Sequence, residues 1–153
     1  AADAEAIGEI GLDFACDIGC ETQISIFRAQ LAIAERLHKP VVLHCVRAFE
    51  YIMRVLENYR LKAVIFHGFI GSKEQAQRAV TQGFYLSFGE RTFRSPKTIE
   101  ALRSTPLTQL FVETDESTTP IEEIYAKIAE LRGIPTTELI TAAEENYNRI
   151  FKG

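Results

Sequence analysis

Five short apolar runs, each followed by a stretch with helical periodicity, constrain the fold of this chain more than any other feature. Apolar strands that alternate with amphipathic helices are typical of repeated βα units around a parallel sheet buried on both faces. The chain has 153 residues, of which 46% are hydrophobic, and this is enough for the core of one domain. We therefore predict a single α/β domain over residues 1–153. The predicted strands are 6–12, 40–43, 63–66, 84–88 and 110–113.

Cap and turn residues set the limits of several helices between and after these strands. Ser72 is a plausible N-cap and Gly83 a C-terminal glycine, while Ser95 and Pro96 form a cap-then-proline helix start. Five strands of this kind could form an open, doubly wound sheet or part of a closed barrel. The predicted helices are 24–37, 49–59, 72–83, 95–104, 121–131 and 136–151.

Charge and cysteine content narrow the possible functions and environment. The formal net charge of −4 gives no general basic field for a polyanion, so a nucleic-acid substrate would have to be bound locally or through metal. Cys16, Cys20 and Cys45 lack the spacing of a zinc knuckle or of a secreted disulfide framework, and we expect the first two to pack rather than to bind a metal. With no apparent membrane span or signal peptide, a cytoplasmic protein is expected.

Four predicted strands carry a potential metal ligand at or near their carboxyl ends. Glu9 lies in the first strand, His44 and His67 follow the second and third, and Asp115 follows the fifth. The carboxyl ends of parallel strands point to one face, so these side chains could converge. Carboxylates and imidazoles are ligands of catalytic zinc, manganese or magnesium, and one carboxylate can bridge two ions. The sequence therefore predicts a divalent metal site.

Each of these residues also has a simpler structural explanation. A histidine at a strand end is often only hydrogen-bonded, and an aspartate after a strand often caps a helix. Glu9 is harder to explain in this way, because we expect it inside an apolar strand. A buried carboxylate costs on the order of several kcal/mol unless it is paired or bound to a cation.

The motifs around these residues resemble those of the TatD hydrolase family and occur in the family's order. The resemblance implies a (β/α)8 TIM-barrel-type metal-dependent hydrolase, with about five of the eight units in this chain, and DNase or related activity. It covers nearly the whole chain. The motifs are GEIGLD at 8–13, PVVLHCVRA at 40–48, HGFIG at 67–71, ETD at 113–115 and the closing segment ENYNRIF at 145–151.

The resemblance also implies roles for individual residues. Glu9 would bridge two divalent ions, His44 and His67 would hold one of them, and Asp115 would hold the other and orient or deprotonate the attacking water. Arg47 could contact a substrate phosphate, or it could be a solvated or salt-bridged arginine at a helix start. The expected cofactors are two ions of magnesium, manganese or zinc, and the expected partner is DNA or another phosphodiester.

The sequence departs from the family pattern in two places. The family's opening strand carries a His-x-His pair that is not found here, and the resemblance places about three strands before Ala1. Without them, exposed strand edges would favour self-association. Glu116 stands where many relatives have a small residue, which puts the family's usual substrate in doubt. Glu90 and Arg91 could line the mouth of the predicted active site, although charges in loops are usually only solvated.

Three functions remain open at this point. The first is hydrolysis of a phosphodiester by metal-activated water, with Asp115 accepting the proton. The second keeps the metal site but cleaves an ester, amide or lactone, because barrel hydrolases share ligands across reactions. The third is a chain that is inactive until the missing strands are supplied.

Overall fold

The strands and helices alternate along the chain as the hydrophobic pattern predicts. The structure is a computed structural model, and it describes residues 6–13, 20–114 and 117–152. In these ranges the strands are β1 (Ile7–Asp13), β2 (Val41–Val46), β3 (Val64–Phe66), β4 (Tyr85–Phe88) and β5 (Leu110–Val112). The helices are α1 (Cys20–Leu37), α2 (Phe49–Leu56), α3 (Lys73–Thr81), α4 (Pro96–Ser104), α5 (Ile121–Arg132) and α6 (Thr136–Phe151). The predicted α/β element order is confirmed.

Two short 3₁₀ helices, Glu90–Arg94 and Leu107–Gln109, were not expected from the sequence. Segments this short leave no repeating apolar pattern, because they span fewer than two turns. α1 begins at Cys20, four residues before its apolar pattern becomes clear, and α2 ends at Leu56 rather than 59. The elements themselves were predicted correctly, and the differences lie at their ends.

Contacts within the chain fall into two units, Ala1–His67 and Gly68–Gly153. In the first unit β1 pairs in parallel with β2, and β2 in parallel with β3. This register places Ile10, Leu43 and Phe66 side by side, and all three are buried. The single domain predicted from the sequence stays a prediction.

In the second unit β4 and β5 pair in parallel, with Leu86 beside Leu110 and Phe88 beside Val112. α3 begins at the N-cap Ser72, whose side chain accepts a hydrogen bond from the backbone of Gln75, while the Gln75 side chain accepts one from the backbone of Ser72. This capping box confirms the helix start inferred from the sequence. The apolar faces of the helices in this unit supply the rest of the core.

Cysteine chemistry differs from the expectation. Cys20 is disulfide-bonded, which was neither of the two alternatives, packing and metal binding, that the sequence suggested for it. Cys16 lies outside the described residues. Cys45 has a free thiol, and burial raises its pKa to about 11.

Across the described residues no helix has both the length and the apolarity to cross a membrane.

Asn146 fixes the last helix to the start of β5. It is buried on α6, and its Nδ2 donates hydrogen bonds of 2.8 Å to the carbonyls of both Leu107 and Leu110. Buried carbonyls need a donor, and a donor from a helix side chain holds two elements together. This side chain therefore sets how α6 packs on the strand that precedes residue 115.

We expect Asn146→Ala to lower the free energy of unfolding by about 2 kcal/mol or more, since it leaves two carbonyls without this donor. Urea denaturation would measure the loss. The matched control is Asn148→Ala, on the exposed face of the same helix. Equal stability of the two variants would contradict the anchoring role.

Candidate active site

The Glu9 carboxylate and the His67 imidazole lie next to each other in the first unit. His67 Nε2 is 3.2 Å from Glu9 Oε2. The His67 side chain is 19% exposed and the Glu9 side chain 48% exposed. His67 follows β3, where its backbone N–H donates to the carbonyl of Leu43 on β2. The structure thus brings together two of the four ligands predicted from the sequence.

The expectation that Glu9 is buried within an apolar strand is wrong. The register of β1 shifts between Ile7, which pairs with Val41, and Ile10, which pairs with Leu43. Three steps along β1 match two along β2, so β1 holds one extra residue. Such a bulge breaks the alternation of inward and outward side chains. Ile7 and Ile10 therefore both point into the core, while Glu9 faces out.

His44 lies on the strand beside Glu9 but further along it. It pairs with Gly11, two residues beyond Glu9, and its side chain is half-buried. Two residues of strand span about 6.6 Å, so the backbones of Glu9 and His44 are offset by roughly this distance along the strands. Within the described part of the chain no three His, Cys, Asp or Glu side chains form a group that could hold a metal ion. Asp115, the fourth predicted ligand, lies outside the described residues.

Arg47 has a strained backbone immediately after β2. Its φ is 53°, in the left-handed region, which costs a residue with a side chain on the order of 1 kcal/mol. The guanidinium is exposed, and within the described ranges it makes no hydrogen bond and no ion pair. The salt-bridged alternative for Arg47 is therefore not what the structure shows. The exposed, solvated arginine is the alternative that the structure favours.

The second unit contains a cavity of 350 Å³ at the carboxyl ends of β4 and β5. Glu90 and Arg91, which the sequence suggested as possible mouth residues, both line it. Volumes of this order suit small ligands. The other residues around the cavity are Gly68, Phe69, Ile70, Gly89, Thr92, Arg94, Glu113, Thr114, Ser117 and Thr118.

Glu113, at the back of this cavity, is held by the neighbouring strand. Ser87 Oγ donates a 2.6 Å hydrogen bond to Glu113 Oε2, and the Glu113 backbone N–H donates to the carbonyl of Phe88. A Cβ at Gly89 would lie 2.9 Å from the Glu113 carbonyl, so only glycine allows this approach without a shift. Glu113 belongs to the ETD motif but has no role in the predicted metal site, and nothing in the local sequence marks Ser87 as a site residue.

Glu90 links the segments that follow β4 and β5. It accepts hydrogen bonds from the hydroxyls of Ser117 and Thr119, which lower the pKa of its carboxyl below the ordinary value of 4.5. The positive charges of Arg94 and Lys127 lower this pKa further. Because the pKa falls on folding, the stabilisation is present above 4.5 and is lost as the pH falls through the folded-state pKa.

We expect Ser117→Ala to raise the pKa of Glu90 towards 4.5, because the hydroxyl is the largest cause of its shift. A carboxyl titration followed by NMR would measure this. Thr118→Ala, a change to the exposed neighbour, is the control and should leave the pKa unchanged. The link would be disproved if Glu90 titrated at or above 4.5 in the unmodified protein.

Parallel strands followed by helices, with ionisable side chains at the carboxyl ends of the strands, define an α/β protein with its site where TIM-barrel and doubly wound enzymes have theirs. The family model described as TatD related DNase matches residues 1–152. The chain therefore belongs to the TatD family, and both the predicted family and the predicted fold class are confirmed.

Two curated relatives show the level of similarity. The chain is 33% identical to the uncharacterized metal-dependent hydrolase YabD of Bacillus subtilis strain 168, over 96% of this chain and 65% of YabD. It is 32% identical to the 3'-5' ssDNA/RNA exonuclease TatD of Escherichia coli strain K12, over 95% of this chain and 65% of that enzyme. The chain thus spans slightly less than two thirds of these proteins.

Solved structures agree on the fold. The crystal structure of the TatD homolog YjjV from Escherichia coli K12 superposes with a TM-score of 0.88 and 31% identity, over 97% of this chain and 64% of YjjV. An uncharacterized amidohydrolase from Saccharomyces cerevisiae gives a TM-score of 0.85 with 17% identity, over 95% of this chain and 64% of that protein. At 17% identity, the second likeness shows the fold alone.

Proposed function

We propose that the protein is a divalent-metal-dependent hydrolase that cleaves phosphodiester bonds in nucleic acid. The observation that carries this proposal is the 3.2 Å contact between His67 and Glu9 in a chain of the TatD family. The exonuclease name of a relative at 32% identity supports the substrate class. Since the chain spans 65% of that relative, the proposal concerns the complete gene product.

The residues in the first unit have the chemistry that a divalent ion needs. A carboxylate and an imidazole within contact distance are ligands shared by zinc and manganese sites, and they fit a catalytic ion. We propose Glu9, His67, His44 from the adjacent strand and Asp115 after β5 as the ligands that this chain contributes to a centre for two ions. Bound ions of this kind lower the pKa of water and polarise a phosphoryl oxygen.

The protein's own residues would perform the remaining steps. Asp115 would accept the proton of the attacking water, because a carboxylate within hydrogen-bond reach can act as a general base. Arg47 would hold a phosphate oxygen of the substrate, which explains an exposed guanidinium without an internal partner among the described residues. Glu9 would keep the ligand cluster negative enough to retain the cations.

We expect Glu9→Gln and His67→Ala to reduce the affinity for divalent metal by about tenfold or more and to abolish hydrolysis of a single-stranded DNA oligonucleotide. Elemental analysis after dialysis and an oligonucleotide cleavage assay would measure the two effects. His38→Ala and Glu57→Gln are matched controls, because both side chains are exposed on helix ends.

Two outcomes would contradict parts of the proposal. Unchanged metal content in both variants would remove Glu9 and His67 from the metal centre. A metal-dependent activity on p-nitrophenyl esters, with none on DNA, would replace the nuclease by the ester, amide or lactone hydrolase that the sequence also allows.

Two further proposals concern the protein as a whole. A cytoplasmic location stays a prediction. Self-association also stays a prediction. Among the described residues of the first unit β1 pairs only with β2, so its outer edge carries backbone groups available to another strand. Size-exclusion chromatography of the complete gene product would test it.

A further inference from the structure

Two arginines line the cavity of the second unit without a hydrogen bond or ion pair from the described residues. Arg91 and Arg94 are both exposed and lie three residues apart in the 3₁₀ helix Glu90–Arg94. Side chains three residues apart eclipse each other in a 3₁₀ helix, so the two guanidiniums extend from the same side. Arg94 only lowers the pKa of Glu90 through its charge. Two neighbouring cations therefore face one cavity.

The carboxylates in the cavity are already engaged by hydroxyl groups. Ser87 donates to Glu113, and Ser117 and Thr119 donate to Glu90. Each carboxylate thus accepts a hydrogen bond from an uncharged hydroxyl group nearby. Arginines that approach carboxylates usually form paired, two-point hydrogen bonds with them, and these two do not. Their donors remain available to a ligand.

The remaining walls suit one nucleotide of a strand. Ile70 presents an apolar side chain that is 38% exposed, and the buried Phe69 also lines the cavity. The volume of 350 Å³ is in the range of pockets for small ligands. An apolar surface next to two guanidiniums matches a base beside its phosphate, because bases pack on apolar side chains and phosphates accept paired hydrogen bonds from arginine.

We propose that Arg91 and Arg94 form a phosphate subsite that holds the backbone of a single-stranded nucleic acid. The proposal rests on the proposed function for its substrate class. It adds two substrate-binding residues to the proposed metal ligands, and it identifies phosphate as the anion that binds in the cavity. An acidic protein needs such a local site, since its formal net charge of −4 repels a polyanion at long range.

The test is the binding of a fluorescent single-stranded oligonucleotide to the complete gene product in EDTA, where cleavage does not interfere. Each phosphate contact contributes roughly 0.7 to the slope of log affinity against log salt. We expect the double variant Arg91→Ala and Arg94→Ala to lose about 1.4 of this slope. The double variant Arg36→Ala and Arg54→Ala removes the same charge from exposed helix positions and should keep the slope.

Two further comparisons keep the result specific. Arg91→Lys with Arg94→Lys should retain most of the slope, because the charge remains. Urea denaturation should give similar midpoints for all variants, because exposed charge pairs contribute little to stability. Competition with inorganic phosphate at constant ionic strength separates the two sources of phosphate. The oligonucleotide should bind more tightly than inorganic phosphate, and equal affinities would overturn the assignment to a strand.

The outcomes for the subsite and for the proposed function can be told apart. An unchanged slope in the alanine variant, or an unmodified protein that binds no oligonucleotide, would overturn the subsite. Arginine-dependent binding by a protein that hydrolyses no phosphodiester with any metal would support the subsite and refute the proposed nuclease.

Discussion

The parallel register of β1, β2 and β3 is the constraint on which the candidate metal centre depends. It aligns Ile10, Leu43 and Phe66 in one buried row, and this burial fixes the register because a shift of one residue would expose the row. With that row in place, His67 follows β3 beside Leu43. The extra residue in β1 then turns Glu9 outward to meet it. The apolar core therefore positions two polar side chains that are far apart in sequence.

The second unit depends on register in the same way but uses hydrogen bonds at the strand ends. Pairing of β4 with β5 places Ser87 beside Phe111, close enough to the end of β5 for its hydroxyl to reach Glu113. Asn146 secures the beginning of the same strand. β5 is thus held at both ends. A site assembled from loops needs this kind of support from rigid elements.

Much of the fold could be predicted from the sequence, because apolar periodicity indicates which residues are buried and capping residues mark the ends of helices. The site was less predictable. The bulge at Gly8 and Glu9 leaves no period-two signature, so Glu9 was expected inside the core. The 3₁₀ helix that places Arg91 and Arg94 together is too short to show a pattern. Ser87 is an ordinary strand residue in the sequence, and only the register of β4 and β5 shows that its hydroxyl lies near Glu113. The sequence of one strand alone does not predict which residues of the next strand will lie beside it.

An acidic chain can still bind a polyanion if its cations are local and its carboxylates are engaged. At physiological salt, charges further apart than about 8 Å are largely screened, so the net charge matters less than the groups at the contact. In the second unit, hydroxyl donors on Glu90 and Glu113 leave the guanidiniums of Arg91 and Arg94 to a ligand. If the arginines instead formed ion pairs with these carboxylates, their N–H groups would not be available to a ligand. The serine and threonine donors therefore occupy the carboxylates and leave the guanidinium N–H groups to hydrogen-bond a phosphate.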